Sequence, residues 1–255
     1  MKVHVVYYIV LIFISLLGII GCTAEEDTAS TTGTVPGRER QADPKYEPVV
    51  ETLSGMELYL LEMGLVDVQT IASGVLVDLK YSTTDNFMGV DVYGDLNKCY
   101  LQADVAEKIN KAQTFLDSLQ KGTRLLIYDG VRPRSVQQLM WDTLDMPLHR
   151  KTRFVSNPQF GSLHNFGAAV DITLADDKGI ALDMGAPYDD TSLVAWPIHE
   201  IRYLNLGLLT QEQVKNRQLL RRVMSYAGFF NIQSEWWHFN SCTREAAMQK
   251  YKIVE

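Results

Sequence analysis

Cysteine, histidine and basic residues are scarce in this chain, and each scarcity excludes something. Three cysteines in 255 residues cannot staple a disulfide-built scaffold, so the fold has to rest on an apolar core. Lys and Arg number 24 against 31 Asp and Glu, a formal charge of −7. No basic footprint is present, which argues against nucleic acid as a partner. Long apolar runs are also missing, with one exception near the start. Residues 5–20 are uncharged for 16 residues, short of the ~20 that a spanning helix needs. What is there is ordinary: 46% hydrophobic and 22% charged residues, a balance that excludes wholesale disorder and a polytopic membrane protein.

The apolar run follows Lys2 and His4 and reads as the core of an export signal. It ends Ile19-Ile20-Gly21-Cys22, a small residue and then cysteine, which resembles the bacterial lipobox. The expectation is a lipoprotein signal peptide over residues 1–21 and lipidation of Cys22. Contact with the membrane would then be through the lipid anchor alone. A plain signal peptide or membrane anchor with a cysteine nearby is the alternative. Thr23 rather than Asp after the cysteine implies an outer membrane, in a cell that has two. Of the 29 residues 22–50, 11 are Ser, Thr, Gly or Pro, and large aliphatics are almost absent. Such a stretch cannot offset its ordering entropy by burial and reads as a flexible tether. Residues 51–255 then form one folded domain.

Within that domain residues 56–65 read as a short helix, and residues 75–81 (VLVDLKY) alternate as a strand. Residues 83–94 are a loop rich in Gly, Asp and Asn. The clearest helix is 101–120, where Val105, Ile109, Ala112, Leu116 and Leu119 draw one apolar stripe. A strand at 123–128 follows, and Arg132-Pro133 opens a helix to about Leu144. Residues 168–174 read as a strand. Residues 210–227 read as a helix capped by Thr210 and Gln213 and stopped by Gly228. An aromatic strand at 235–240 and a terminal helix at 243–251 complete the order. It is mixed rather than alternating βαβ, so the predicted class is α+β: a single domain with helices packed on a central antiparallel sheet.

Four histidines lie beyond the signal segment: His149, His164, His199 and His238. His199-Glu200 begins the commonest zinc-protease pattern, but Tyr203 stands where the second histidine belongs. The other candidate is split between Ser162-Leu163-His164-Asn165-Phe166-Gly167-Ala168-Ala169-Val170-Asp171 and Glu235-Trp236-Trp237-His238. Two imidazoles and one carboxylate are enough for a catalytic zinc that keeps a position open for water. Zinc brings the pKa of bound water towards neutrality, so the spare carboxylate can act as a modest base. Gly167 permits a turn that lets His164 and Asp171 converge. Glu235 and His238 are three apart, which on a flat strand puts them on opposite faces, so that segment must twist, bulge or end there. On spacing alone a core histidine with surface carboxylates is an equal reading.

The pattern SxHxxGxAxD followed by ExWH resembles the zinc D-alanyl-D-alanine peptidases, which share a fold with the hedgehog signalling domain. More narrowly, the chain is similar to the D-Ala-D-Ala dipeptidase family known from vancomycin resistance. Supporting pieces run in order through the domain: Asp78-Leu79-Lys80-Tyr81, Asp85-Asn86-Phe87, Asp129-Gly130-Val131-Arg132-Pro133, Met184-Gly185, Tyr188-Asp189 and Asn216-Arg217. The resemblance implies one zinc ion per chain, held by His164, Asp171 and His238. It makes Glu235 the general base and Arg132 the group that polarises the scissile carbonyl and stabilises the oxyanion. Asp189 would hold the substrate's free ammonium, with Ser162 a nearby hydrogen-bond donor and Tyr81, Asn86 and Phe87 candidates for the wall.

Each assignment has a plainer counterpart: Arg132 as a surface arginine at a helix start, Asp189 as a turn cap, Trp236 and Trp237 as core. The implied reaction is zinc-dependent hydrolysis of the small D,D-dipeptide D-Ala-D-Ala in cell-wall peptide turnover. Resistance enzymes of this type act in the cytoplasm, whereas a lipobox points to an exported enzyme that recycles or scavenges. A D,D-carboxypeptidase or endopeptidase trimming peptidoglycan stems is the first alternative, and a non-catalytic zinc or wall-binding module the second. Export would also place Cys99 and Cys242 in an oxidising compartment, where two free thiols are unusual, so a disulfide between them is expected.

Overall fold

A seven-residue strand, Ala169–Ala175, is buried along its whole length and sits at the middle of the main sheet. Its sequence, AVDITLA, has no polar alternation, as befits a strand covered on both faces. The computed structural model describes residues 53–152 and 155–255, which belong to one compact unit, Glu51–Glu255. The expected signal peptide, Cys22 and the tether lie outside the described residues. Along the chain the elements are α1 (Gly55–Glu62), β1 (Leu65–Asp67), α2 (Val68–Ile71), β2 (Leu76–Val77), β3 (Tyr100–Gln102), α3 (Ala103–Leu119), β4 (Arg124–Asp129) and α4 (Arg134–Thr143). Then come α5 (Leu148–Lys151), β5 (Ala169–Ala175), α6 (Glu200–Asn205), α7 (Gln211–Tyr226), β6 (Phe230–Asn231), β7 (His238–Asn240) and α8 (Arg244–Lys250).

The main sheet runs β2-β4-β5-β7-β6, and β1 pairs with β3 in a separate antiparallel ribbon. The class is α+β, as expected. One pair departs from an all-antiparallel sheet: β2 runs parallel to β4. The chain crosses over through α3 between these two strands, and a crossover through a helix returns it in the same direction. The helices α3 and α7 pack on each other and against β4 and β5. Val105, Ile109, Ala112 and Leu116 are fully buried, each worth roughly 1.5–3 kcal/mol for its larger members. Leu119, the last of the predicted stripe, is 37% exposed because the helix ends there. The capping box on α7 forms as read: Thr210 accepts from Gln213 N, and Gln213 accepts from Thr210 N.

Several boundaries move, the helix read over 56–65 ending at Glu62 among them, and three of the shifts have a plain local reason. The strand read over 75–81 pairs only at Leu76–Val77 and then turns through a 3₁₀ turn at Lys80–Ser82, which carries Tyr81 away from the sheet. The helix read from residue 101 starts at Ala103, because Leu101 is taken up by pairing with Val66. The strand read over 235–240 is a strand only at His238–Asn240. In β7, Phe239 is fully buried opposite Val170 while its neighbours are only partly buried. Phe239→Ala should cost about 3–5 kcal/mol in urea unfolding, the usual loss for an aromatic anchor in a core. A loss under about 1 kcal/mol would contradict this packing.

The expected disulfide is absent. Cys99 and Cys242 are both free thiols. They lie in different apolar clusters, Cys99 in the main core and Cys242 beside Phe166, Ala168 and Ala247. Burial pushes the Cys99 thiol well above its ordinary range, which keeps it unreactive.

Candidate metal centre and substrate cleft

A register shift makes the site possible. Between Ile127 and Asp129 the β4–β5 ladder slips by one residue, so that Asp129 stands opposite Asp171. Asp171 in turn faces His238 on β7, and the three residues form one row across the sheet. His164 enters from a 3₁₀ turn, Leu163–Phe166, closed by Gly167 at φ 62°. A Cβ on Gly167 would meet Leu65 Cδ2 at 2.7 Å, so this close turn requires glycine.

Three atoms converge there. His164 Nε2 lies 3.1 Å from His238 Nδ1, His238 Nδ1 lies 3.0 Å from Asp171 Oδ1, and His164 Nε2 lies 3.3 Å from Asp171 Oδ1. The far nitrogens are committed elsewhere: His164 Nδ1 donates to Gly130 O at 2.7 Å and His238 Nε2 to Asn240 Oδ1 at 2.9 Å. Asp171 Oδ2 accepts from the Tyr188 hydroxyl at 2.9 Å, which leaves Oδ1 for the triangle. A tetrahedral zinc ion with bonds of about 2.0–2.1 Å has ligand–ligand edges of about 3.3 Å, so these residues fit the group. The second hydrogen bond on each imidazole is the outer support that metal-binding histidines ordinarily carry.

The triangle attracts positive charge. Burial works against a charged imidazole, yet the hydrogen bond and charge of Asp171 raise His238 to about 9. Burial also opposes ionisation of Asp171, and the charges and hydrogen bonds of His164 and His238 hold it well below the carboxylate range.

Glu235 stands at the rim, its Oε2 3.9 Å from His238 Nδ1. The segment that joins them is bent, not flat: Asn231 Nδ2 donates to both Glu235 O and His238 O at 2.8 Å. That clamp brings residues three apart to one side. Burial and the charge of Asp171 raise the proton affinity of Glu235, the direction a general base needs. Arg132 is 7% exposed and anchored through Nε and Nη2 on Asp129 Oδ2, and it lies over the Tyr81 ring at 5.0 Å. Its position is buried, unlike the surface arginine of the plainer reading.

Asp189 lines the same cavity of about 560 Å³. It is the single non-glycine residue at positive φ among the described residues, at 60°. The Tyr81 hydroxyl donates to its Oδ2 at 3.1 Å. Its loop is pinned from α7: Arg217, 1% exposed, donates to Met184 O at 2.6 Å and to Val194 O at 3.0 Å. Asn216 adds a bond to Asp183 O at 2.9 Å. Such over-determined surroundings are what hold a strained residue in place. Burial first, and then the charge of Asp171, push the Asp189 carboxyl up to about 8. The charge of Arg132 opposes this shift without cancelling it, so a cationic ligand group placed beside Asp189 would favour the ionised carboxylate.

The sign of the pH effect follows. The folded pKa lies above the unfolded value near 3.9, so Asp189 supports the fold below about pH 4 and that support is lost as pH rises through about 8. Asn keeps the shape, tolerates the left-handed conformation and never ionises. Asp189→Asn should therefore raise the melting temperature of the metal-free protein at pH 8 more than at pH 4. It should also raise KM for an amine-bearing substrate by about ten- to hundredfold, the loss of one charge-assisted hydrogen bond. Equal melting shifts at both pH values would contradict the first part.

Other expectations sort differently. Phe87 and Trp237 line the cavity, and Trp236 donates from Nε1 to Ala186 O, a wall role. Ser162 lines the cavity too, but its hydroxyl donates to Gln137 Oε1 at 2.8 Å. Asn86 knits its own loop, donating to Lys80 O, Thr83 O and Val90 O, and does not reach the site. His199 stacks on Trp196, and Glu200 pairs with Arg221 away from the triangle. Asp129, Tyr188 and Asn231 are the supports that spacing did not reveal. Asp129 and Tyr188 enter the sequence reading only as members of the pieces 129–133 and 188–189, with no role attached.

A sheet bearing a His-Asp-His triangle, with a proton-seeking carboxylate and a buried guanidinium beside it, is the architecture of a metal-dependent hydrolase. The family model described as D-ala-D-ala dipeptidase, peptidase M15, matches residues 61–254, and the chain belongs to that family of metallodipeptidases. It is 33% identical over 175 residues to a D-alanyl-D-alanine dipeptidase of Escherichia coli K12, spanning 69% of this chain and 83% of that one. It is 28% identical over 194 residues to a protein of the same description from Enterococcus faecium, spanning 70% and 92%. Among solved structures, a zinc-bound vancomycin-resistance D,D-pentapeptidase covers 60% of this chain and 79% of its own, at 16% identity and a TM-score of 0.31.

Proposed function

We propose that this chain hydrolyses D-Ala-D-Ala to two molecules of D-alanine, using one zinc ion held by His164, Asp171 and His238. The observation that carries the reading is Asp189: a strained, buried carboxyl in the same cavity as the triangle, braced by Tyr81 and raised in proton affinity despite the charge of Arg132. A free dipeptide brings an ammonium to it, whereas the corresponding group of a longer peptide is an uncharged amide.

A bound zinc ion supplies Lewis-acid polarisation and a water of lowered pKa. The chain's own residues do the rest. Asp189 and Tyr81 fix the ammonium end. Glu235 takes a proton from the attacking water and delivers it to the leaving nitrogen, so one side chain serves as base and then acid. Arg132, kept charged by Asp129 against the pull of burial, donates to the carbonyl oxygen as negative charge grows there. Tyr188 and Arg132 hold Asp171 so that its free oxygen faces the two imidazoles.

Stripping the metal should abolish turnover, and one equivalent of zinc per chain should restore it. Recovery at a different stoichiometry would contradict the single-site reading. We further infer that the enzyme is exported and lipid-anchored through Cys22, on a bacterial membrane facing the wall, where it turns over wall-derived dipeptide. The run at residues 5–20 and Gly21-Cys22 support this. Metabolic labelling with a fatty-acid probe should mark the wild type and not Cys22→Ala.

A further inference from the structure

We propose that Arg244 receives the carboxylate end of the substrate and so imposes the demand for a free C-terminus, an assignment that rests on the dipeptidase reading. A free dipeptide carries opposite charges at its two ends, and Asp189 answers only one of them. Among the described residues two arginines line the cavity, Arg132 and Arg244. Arg132 is already engaged: Asp129 Oδ2 accepts from both its Nε and its Nη2, Asp171 Oδ2 lies 3.6 Å from Nη2, and the donor it has left is the one the mechanism gives to the scissile carbonyl. Arg244, at the start of α8, pairs with no carboxylate among the described residues. It is fixed through one bond, Nη1 to Gly161 O at 3.0 Å, which holds the guanidinium next to Ser162.

Asp189, the three residues of the triangle and Arg244 all line one cavity. Asp189 follows Tyr188, which is bonded to Asp171 of the triangle. Arg244 is bonded to Gly161, three residues before His164 of the triangle. Ser162 alone does not serve a carboxylate, since its hydroxyl is neutral and its proton is directed at Gln137 Oε1. Gln137 is fully buried, and its own amide nitrogen is bound to Ser156 O at 2.8 Å. A planar guanidinium with donors to spare matches a carboxylate in charge and shape.

The test compares D-Ala-D-Ala with D-alanyl-D-alaninamide, which lacks the terminal charge, on the zinc-loaded protein. The wild type should favour the free acid. Arg244→Gln keeps a donor for Gly161 without the charge. It should raise KM for D-Ala-D-Ala by about ten- to hundredfold, hold kcat within about threefold and leave the amide unchanged. Arg244→Lys should recover part of the preference, and Arg244→Met should repeat the loss. An equal rise in KM for both substrates, or none in a variant that melts like the wild type, overturns the assignment while the dipeptidase reading stands. A zinc-loaded wild type inactive on D-Ala-D-Ala overturns both.

Discussion

Replacing Glu235 by alanine should lower kcat on D-Ala-D-Ala by about 10²–10⁴ and leave the bound metal in place. The expectation rests on where Glu235 stands. Its carboxylate is 3.9 Å from His238 Nδ1, near the triangle without belonging to it, and its side chain keeps 25% of its surface exposed towards the cleft. Removing it takes no donor from the His164–Asp171–His238 set, so metal content by atomic spectroscopy should match the wild type. Burial and Asp171 raise its affinity for a proton, and a group so tuned can accept one proton and return it within one turnover. Glu235→Gln should lose nearly as much, because it keeps the size and loses the basicity. A kcat within tenfold of wild type would exclude this carboxylate as the proton carrier.

Asp171→Asn should have a comparable effect by a different route. Asn offers a neutral oxygen where the triangle holds a carboxylate, and it removes the charge that raises His238 to about 9. Zinc affinity should fall by well over the 10–100-fold typical of outer-support mutations, with activity lost at micromolar metal. Wild-type protein should melt higher as zinc is added, gaining about 4 kcal/mol at a thousandfold excess over Kd. The variant's melting should not respond. The pH dependence differs as well. Asp171 has a folded pKa below its unfolded value, so its contribution is present above about pH 4 and is lost as pH falls further. The metal-free wild type should lose stability in acid more steeply than Asp171→Asn. A zinc-dependent melting shift of wild-type size in the variant would contradict the ligand assignment.

The parts of the fold legible in sequence are those fixed by local periodicity. The α3 stripe and the α7 capping box follow from residues within a few positions of one another. The ribbon of β1 and β3, three residues each, carries too short a pattern to be read, and the parallel pairing of β2 with β4 depends on a crossover. The same division runs through the site. His164, Asp171, Glu235 and His238 stand in two compact motifs and could be named. Asp129, Tyr188 and Arg217 stand in pieces that the resemblance picked out with no role attached, and Asn231 stands in none; what they do depends on a bulge, a hydroxyl bond, a loop pin and an amide clamp that only the fold supplies. Cys99 with Cys242 shows the opposite error, a pairing inferred from compartment without geometry. The bend before β7 is intermediate. The spacing of Glu235 and His238 required one, and Asn231 supplies it.

The most direct measurement of the central claim is the ratio of kcat/KM for D-Ala-D-Ala to that for N-acetyl-D-Ala-D-Ala on the zinc-loaded protein. Blocking the amine removes the charge that Asp189 and Tyr81 are arranged to receive, and leaves the scissile bond and the metal triangle untouched. The predicted result is a ratio of about a hundred or more in the wild type, falling towards one in Asp189→Asn. Efficient cleavage of the blocked substrate by the wild type would contradict the dipeptidase reading and mark the chain as a D,D-carboxypeptidase or endopeptidase.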